Sequence, residues 1–288
     1  MTHIISYKEQ LSQHVENVFK SFSTPGLHFC DLATGGGKSY TIGKLTCEYY
    51  PEYFDRIVIL CVQNKLISGM DKEIERFIYS DNSKIHTSDK LIIENNTEVI
   101  TKAFENGSIK ELLDQIEYKV GELKRKNENV SKLSYEFNSI KKISTGLSRL
   151  IKTQKESNGN DEYLQNQVDE GEANLRRAIR SFFECYKKFW ENNNNYKKLS
   201  FESILNSFSA LSKVYPQVEI KRKKLLIMTV HKAMYGIDPI LSDKIRLSNF
   251  ASNKKTLILF DESDQAAVAM RNVIIEQSIN NSEGNKRF

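Results

Sequence analysis

The segment Leu32-Ala-Thr-Gly-Gly-Gly-Lys-Ser39 holds the residue types needed to grip a nucleoside triphosphate. Phosphate oxygens must approach backbone N–H groups closely, so side chains have to be absent. Gly35, Gly36 and Gly37 meet that demand, with Thr34 just ahead of them. Lys38 offers a mobile positive charge for the β- and γ-phosphates, and Ser39 a hydroxyl for Mg²⁺. The strict G-x-x-x-x-G-K-S/T pattern has glycine where this chain has Leu32. Such a loop works only between a strand and a helix, because the helix N-terminus favours anions.

A second set of groups lies far along the chain. Leu257-Ile-Leu-Phe-Asp-Glu-Ser-Asp264 reads as a hydrophobic strand that ends on adjacent carboxylates. Mg²⁺ bound to a nucleotide keeps several waters and takes one or two carboxylate contacts, which suits Asp261. Glu262 is then placed to orient or deprotonate an attacking water. By itself an acidic strand end serves equally as a helix cap or a turn. Loop and carboxylates each follow a strand, and the carboxyl ends of strands line one crevice in an open α/β sheet.

The elements that must position these groups can be read from periodicity. Leu27–Cys30 reads as a short strand, followed by the loop and a helix from Lys38 to Tyr50 that Pro51 stops. Arg56–Val62 is a continuous apolar, β-branched run, suited to a strand buried on both faces of a parallel sheet. A helix over about Leu66–Ile78 follows, with Ile67, Met70, Ile74 and Phe77 at helical spacing. Lys224–Val230 and Thr256–Phe260 are further buried strands, and Asn272–Ile275 reads as one more short strand. Between them, residues 101–224 read as helical hairpins. Ile109, Leu112, Leu113, Ile116, Val120 and Leu123 mark one helix; Leu133, Phe137, Ile140, Ile143, Leu147 and Leu150 mark another. Breaks fall at Ser157–Asp161 and Glu191–Asn195. The expected organisation is a discontinuous α/β domain, residues 1–100 and 225–288, carrying a helical insertion over 101–224.

Composition sets the bounds. The chain has 288 residues, 39% hydrophobic and 27% charged, which supports a real core and excludes collagen-like or disordered classes. The longest apolar run, Ile57–Val62, is too short to span a bilayer, and no charged-then-apolar leader opens the chain. The 4 cysteines are far apart, without a C-x-x-C pair, which disfavours a disulfide framework and fits a reducing cytoplasm. The net charge is +5, but Thr101–Leu225 alone holds 24 Lys and Arg against 17 Asp and Glu. That local excess either attracts a nucleic-acid backbone or is a solvated helical surface.

The two motifs resemble helicase superfamily 2, the DEAD-like group, and within it the ATP-dependent restriction-subunit type. Ala33–Ser39 is similar to motif I of that group, which tolerates a residue other than glycine at position 32; Asp261-Glu-Ser-Asp264 is similar to its D-E-x-D/H motif II. Ile57–Leu66 resembles motif Ia, which implies that Gln63, Asn64 and Lys65 touch a nucleic-acid backbone. Met228–Lys232 resembles the strand-end threonine motif ahead of motif II, which implies Thr229 on the same path. Gln10 or Gln13 matches the adenine-reading glutamine upstream of motif I, although an ordinary exposed helix glutamine has the same appearance. The resemblance covers about residues 1–80 and 225–288. It implies a RecA-like P-loop NTPase fold (an open, mostly parallel sheet with flanking helices), Mg-ATP as ligand, and nucleic acid, DNA rather than RNA, as partner.

The departures shape the functional expectation. Members of the group have two RecA-like domains with ATP between them, and the second supplies an arginine finger worth about 10³ or more in turnover. No S/T-A-S/T string follows Asp264, and no Q-x-x-G-R-x-x-R string occurs. The chain is therefore expected to be a fragment or subunit needing a second RecA-like domain in cis or in trans, with weak or absent hydrolysis alone. The alternative is a nucleotide-binding switch whose insertion docks a partner protein, without motor activity. A P-loop kinase is a third class, which the motif Ia-like and D-E-S-D segments weigh against.

Other features carry two readings each. Phe182, Phe183, Tyr186, Phe189 and Trp190, among basic residues, either stack bases or form a buried helix stripe; their spacing favours the stripe. Lys221-Arg-Lys-Lys224 either grips phosphates or is a solvated linker. The five histidines show no metal-ligand spacing, and His231 lies two residues from Thr229.

Overall fold

The computed structural model describes residues 7–24, 26, 28, 37–126, 129–157, 161–194, 198–250, 254–261 and 263–284. Leu27, Phe29 and Cys30 of the expected first strand lie outside them. In chain order the elements are α1 (Tyr7–Lys20), α2 (Lys38–Glu48), β1 (Arg56–Cys61), α3 (Asn64–Ile78), β2 (Lys90–Ile93), α4 (Asn96–Glu105), α5 (Ser108–Arg125), α6 (Ser131–Glu156), α7 (Glu162–Asn193), α8 (Phe201–Ser207), α9 (Ala210–Val214), β3 (Leu225–Thr229), α10 (Val230–Tyr235), α11 (Leu247–Phe250), β4 (Thr256–Phe260) and α12 (Ser263–Gly284). They form two compact units. One comprises residues 1–93, 220–237 and 245–288; the other comprises 94–219 and 238–244.

The first unit is an α/β sandwich around a parallel sheet of order β2-β3-β1-β4. Ile57 pairs with Leu225 and Cys61 with Thr229 across β1 and β3; Leu60 pairs with Phe260 across β1 and β4; Lys90 pairs with Leu225 across β2 and β3. All six residues of β1 and all five of β3 are buried, as strands covered on both faces require. Alternation then divides the core. Ile57, Ile59, Cys61, Leu225 and Ile227 pack with α1, α2 and α3 residues such as Val15, Ile42, Ile67 and Ile74. Val58, Leu60, Leu226 and Met228 pack on the other face with Leu91, Ala233 and Ala266.

Two side chains fasten the amino edge of the sheet. The Lys90 ammonium, 8% exposed, donates to Asp71 at 2.5 Å and Glu75 at 3.1 Å on α3. Burial alone would lower its pKa, but the hydrogen bonds to those carboxylates outweigh it and hold the group charged. Arg56 donates from Nη2 to the Lys221 carbonyl at 3.1 Å. The turn holding Lys221 and Arg222 is exposed, whereas Lys223 donates to the Ser88 carbonyl at 2.8 Å.

The second unit is helical. Its stripes recur at three and four residues: Ile109, Leu112, Ile116, Val120 and Leu123 on α5; Leu133, Phe137, Ile140, Leu147 and Ile151 on α6. Phe182, Phe183 and Tyr186 of α7 are buried around Phe208 in this core, so that part of the aromatic run is packing and not a stacking platform. Phe189 and Trp190 are half-buried. Asp161 starts α7 by accepting from Tyr163 and Leu164 N–H, at 2.9 and 3.1 Å.

One polar knot lies within this unit. Asp238 bonds Arg176 at 2.7 Å and also Arg180, while Arg176 Nε reaches the buried Glu172 at 3.0 Å. Asp238 also accepts the Ile240 N–H at 2.9 Å. Ile240 has φ 62°, a left-handed backbone that costs a β-branched residue roughly 1–2 kcal/mol. Its side chain is 2% exposed, and that burial offsets the strain.

One expectation is corrected. Asn272–Ile275 is not a strand but the middle of α12. Its β-branched triplet sits in a run free of Gly and Pro, where a helix satisfies every backbone group locally, and Ala266 and Val273, seven apart, share the buried face. The break expected at Glu191–Asn195 is met: α7 ends at Asn193, and the Asn194 side chain donates to the Trp190 carbonyl at 2.9 Å. The strand β2 is not foreseen by the sequence reading at all.

Two tests follow from the packing. A Cβ at Gly43 would lie 3.1 Å from the Glu73 backbone, whereas one at Gly69 meets nothing within 4 Å. Gly43→Ala should therefore destabilise by about 1–3 kcal/mol. Gly69→Ala should stabilise by about 0.5–1 kcal/mol. Thermal melts of the two variants read both signs. For the knot, burial alone would raise the Asp238 carboxyl, but the Ile240 N–H and the two guanidinium groups outweigh it and hold the pKa below the ordinary value. A depressed carboxylate stabilises above its unfolded pKa and loses that contribution as pH falls through the folded value. Asp238→Asn should cost about 3 kcal/mol at pH 7. In urea titrations its deficit against the wild type should shrink below about pH 4.

Candidate functional site

Parallel pairing gathers the carboxyl ends of β1, β3 and β4 on one edge. Cys61 and Thr229 are partners there, and the Asp261 N–H donates to the Leu60 carbonyl at 3.0 Å, which extends the ladder by one bond. Asp261 is half-buried at that edge. Gln63 follows β1 by two residues and is the N-cap of α3. Gln63, Asn64 and Lys65 are all exposed, and the first turn of α3 holds no acidic residue. A segment expected to be a loop is thus a helix start, where N–H groups and the positive end of the helix dipole add to the Lys65 charge.

Thr229 is 7% exposed, and its hydroxyl oxygen accepts the Lys232 N–H at 3.2 Å as the N-cap of α10. The residue is therefore structural whatever else it does, and its O–H can still donate. His231 on the same helix is exposed, with its ring 4.4 Å from Tyr235.

Lys38 and Ser39 open α2. Gly37 is its N-cap, with φ 78° and ψ 17°, and Thr41 N–H closes the first turn on the Gly37 carbonyl at 2.9 Å. A side chain at Gly37 would strain that left-handed backbone. Lys38 is half-buried and Ser39 exposed. No acidic residue occupies the first turn, and the missing Cβ of Gly37 faces no atom of the described residues within 4 Å. The helix start is therefore electropositive, which fits a phosphate group. Behind it, Lys44 pairs with Glu16 at 2.8 Å, and Tyr50 O–H donates to the Phe19 carbonyl at 2.7 Å. Cys47 on the inner face is buried, and burial, with the nearby Glu48 charge, pushes its thiol to about 12, so it is inert.

Thr34, Gly35, Gly36 and Glu262 lie outside the described residues. Gln10 belongs to α1. Among the described residues no group of three or more His, Cys, Asp or Glu could hold a metal by itself. A nucleotide-borne Mg²⁺ needs only one or two protein oxygens, so Asp261 and Ser39 suffice in kind. No helix among the described residues is long and apolar enough to cross a membrane.

A parallel sheet with flanking helices is the arrangement of an α/β domain of the RecA-like class. The family model described as type III restriction enzyme, res subunit, matches residues 2–170, more than half of the chain. The chain belongs to that family, whose domain is the N-terminal RecA-like domain of a superfamily 2 helicase, of the helicase-type ATP-binding kind. The match ends ahead of β3, so Thr229 and Asp261 lie beyond it. No curated protein sequence matches the chain.

The double duty of Thr229 is testable. Thr229→Ala should cost about 1 kcal/mol through the lost cap, and Thr229→Ser should restore most of it, read by thermal melting.

Proposed function

We propose that the chain is the ATP-binding first motor domain of a superfamily 2 helicase or translocase acting on nucleic acid, DNA rather than RNA. The observation that supports this most is the family match over residues 2–170, and Asp261, whose N–H bonds the Leu60 carbonyl, follows β4 at the carboxyl edge of the sheet. In this reading residues 1–100 and 225–288 form the motor domain and 101–224 an insertion, in a protein of the reducing cytoplasm. Thr34 to Gly37 offer backbone N–H groups to the phosphates, Lys38 its ammonium, and Gln10 its amide to the base. Ser39 and Asp261 hold the metal's water shell. Glu262 orients and deprotonates the attacking water. Mg-ATP, when bound, supplies the phosphoanhydride whose cleavage drives movement. Gln63, Asn64, Lys65 and Thr229 contact the nucleic-acid backbone. A second RecA-like domain, in cis or in trans, completes the site.

ATP binding and hydrolysis by the chain should be measured with and without single- and double-stranded DNA and RNA. Mg-dependent ATP binding is expected and should fall at least about tenfold in Lys38→Ala. Turnover should be low alone and rise about 10³-fold or more when a second RecA-like domain is supplied. Glu262→Gln should keep binding and lose turnover. Absent nucleotide binding, or binding indifferent to Lys38→Ala, would overturn the reading. Binding with no turnover under any condition would favour a switch that docks a partner protein through the insertion.

A further inference from the structure

Beyond Lys132 in its first turn, the cations of α6 divide into two sets by the face they occupy. Lys141 and Lys155 are engaged: Lys141 pairs with Glu117 of α5 at 2.8 Å, and Lys155 pairs with Glu105. Lys142 and Arg149 point outward, are exposed, and have no carboxylate partner among the described residues. Lys152, also exposed, reaches only Glu156, at 3.9 Å. No Asp or Glu occurs between Glu136 and Glu156. The outer face is thus purely cationic over most of a helix of 26 residues.

The spacing is regular. Tyr135, Lys142 and Arg149 recur every seven residues, which puts them on nearly one line, with steps of about 10.5 Å along the axis. Between the two cations the exposed residues are Thr145, Gly146 and Ser148, small and uncharged, and a Cβ at Gly146 would meet nothing within 4 Å. Tyr135 at the head of the line is 72% exposed. The neighbouring helices differ. The exposed residues of α5 mix Lys110 and Lys124 with Asp114 and Glu117, and those at the start of α7 include Glu162, Asp169 and Glu170. A face for a polyanion needs unpaired cations, no competing carboxylates and room for close approach; α6 alone meets all three among these helices.

We propose that this face of α6 is a second nucleic-acid contact, in which Lys142 and Arg149, with Lys152 beside them, neutralise backbone phosphates without reading sequence. The proposal rests on the reading that the chain acts on nucleic acid, but it needs neither ATP nor the sheet edge. Unpaired point charges flanked by small polar side chains, with no carboxylate beside them, suit a phosphate backbone.

The test is binding of the full chain to a labelled 20-base-pair DNA duplex, without nucleotide, over a series of salt concentrations. For Lys142→Ala with Arg149→Ala, affinity should fall about tenfold and the slope of log K against log salt should flatten by about 2. Lys141→Ala with Lys155→Ala, on the same helix and of the same charge change, should leave the slope nearly unchanged. Unaltered melting of the first pair would show that the fold is intact. Wild-type affinity and slope in that pair would overturn the proposal. So would polyglutamate binding the wild type as tightly as the duplex and losing its affinity in the same pair, which would mark the face as one for an acidic protein. Absence of duplex binding by the wild type would also overturn it, while Mg-ATP binding lost in Lys38→Ala would leave the motor-domain reading standing.

Discussion

The lateral pairing of β1 between β3 and β4 is the constraint from which the first unit is built. Parallel partners cannot be joined by a tight turn, so each neighbour of β1 must come from elsewhere in the sequence. That requirement explains why a chain with Arg56–Cys61 at its centre closes its sheet with residues 225–229 and 256–260. It also fixes the polarity of the edge. With all strands parallel, every carboxyl end falls on one side, and the residue after each strand joins the same rim. The Asp261 N–H bonded to the Leu60 carbonyl is the last rung of that ladder, so the sheet itself holds the backbone of this residue at the rim.

Because β1 and β3 are buried on both faces, helices must cover them, and the quality of that cover places the start of α2. Gly43 lets α2 approach the Glu73 backbone closely, while Lys44 and Cys47 tie the helix, and Tyr50 the turn after it, to α1 and α3. The first turn with Gly37, Lys38 and Ser39 therefore stands on a supported helix. The helical unit follows different logic. Its core is made by stripes on long helices, and a charged knot at Asp238, Arg176 and Glu172 holds a short returning segment, including the strained Ile240, within it.

Much of this architecture is legible in the sequence. Buried parallel strands leave a continuous apolar signature, so Arg56–Cys61, Leu225–Thr229 and Thr256–Phe260 stand out. The amphipathic helices of residues 108–156 stand out by their three- and four-residue spacing. What fails is instructive. Leu91-Ile-Ile93 is too short to carry a period, and β2 exists because β3 offers an edge and Lys90 finds Asp71 and Glu75, neither of which is local. Asn272–Ile275 carries β-branched residues but lies inside a long run without Gly or Pro, and helix wins over local propensity. Glu172, Arg176 and Arg180 show the i, i+4 spacing of a charged helix face, yet Asp238 is 58 residues beyond Arg180 and invisible from there. For the candidate site, Asp261 and Thr229 are legible as residues at strand ends. The exposed start of α3 at Gln63–Lys65 and the capping role of Thr229 come only from the coordinates.

Charge gives the clearest division between structural and available groups. A cation that faces another helix acquires a carboxylate, because an unpaired charge at a half-buried seam is costly. Lys90 and Arg176 follow this rule, and the more exposed Lys141 and Lys213 likewise tie one helix to another. A cation on an outer face has no such obligation, since water solvates it, and its pairing then reflects only which residues the sequence puts beside it. On α5 and at the start of α7 carboxylates are supplied; on the outer face of α6 they are withheld over a stretch that holds Lys142, Arg149 and Lys152, while Lys141 and Lys155 pair with glutamates of other helices. The net charge of +5 is therefore a poor guide to where a polyanion would settle. What matters is the subset of cations left over once the seams are satisfied, and on α6 that subset is aligned.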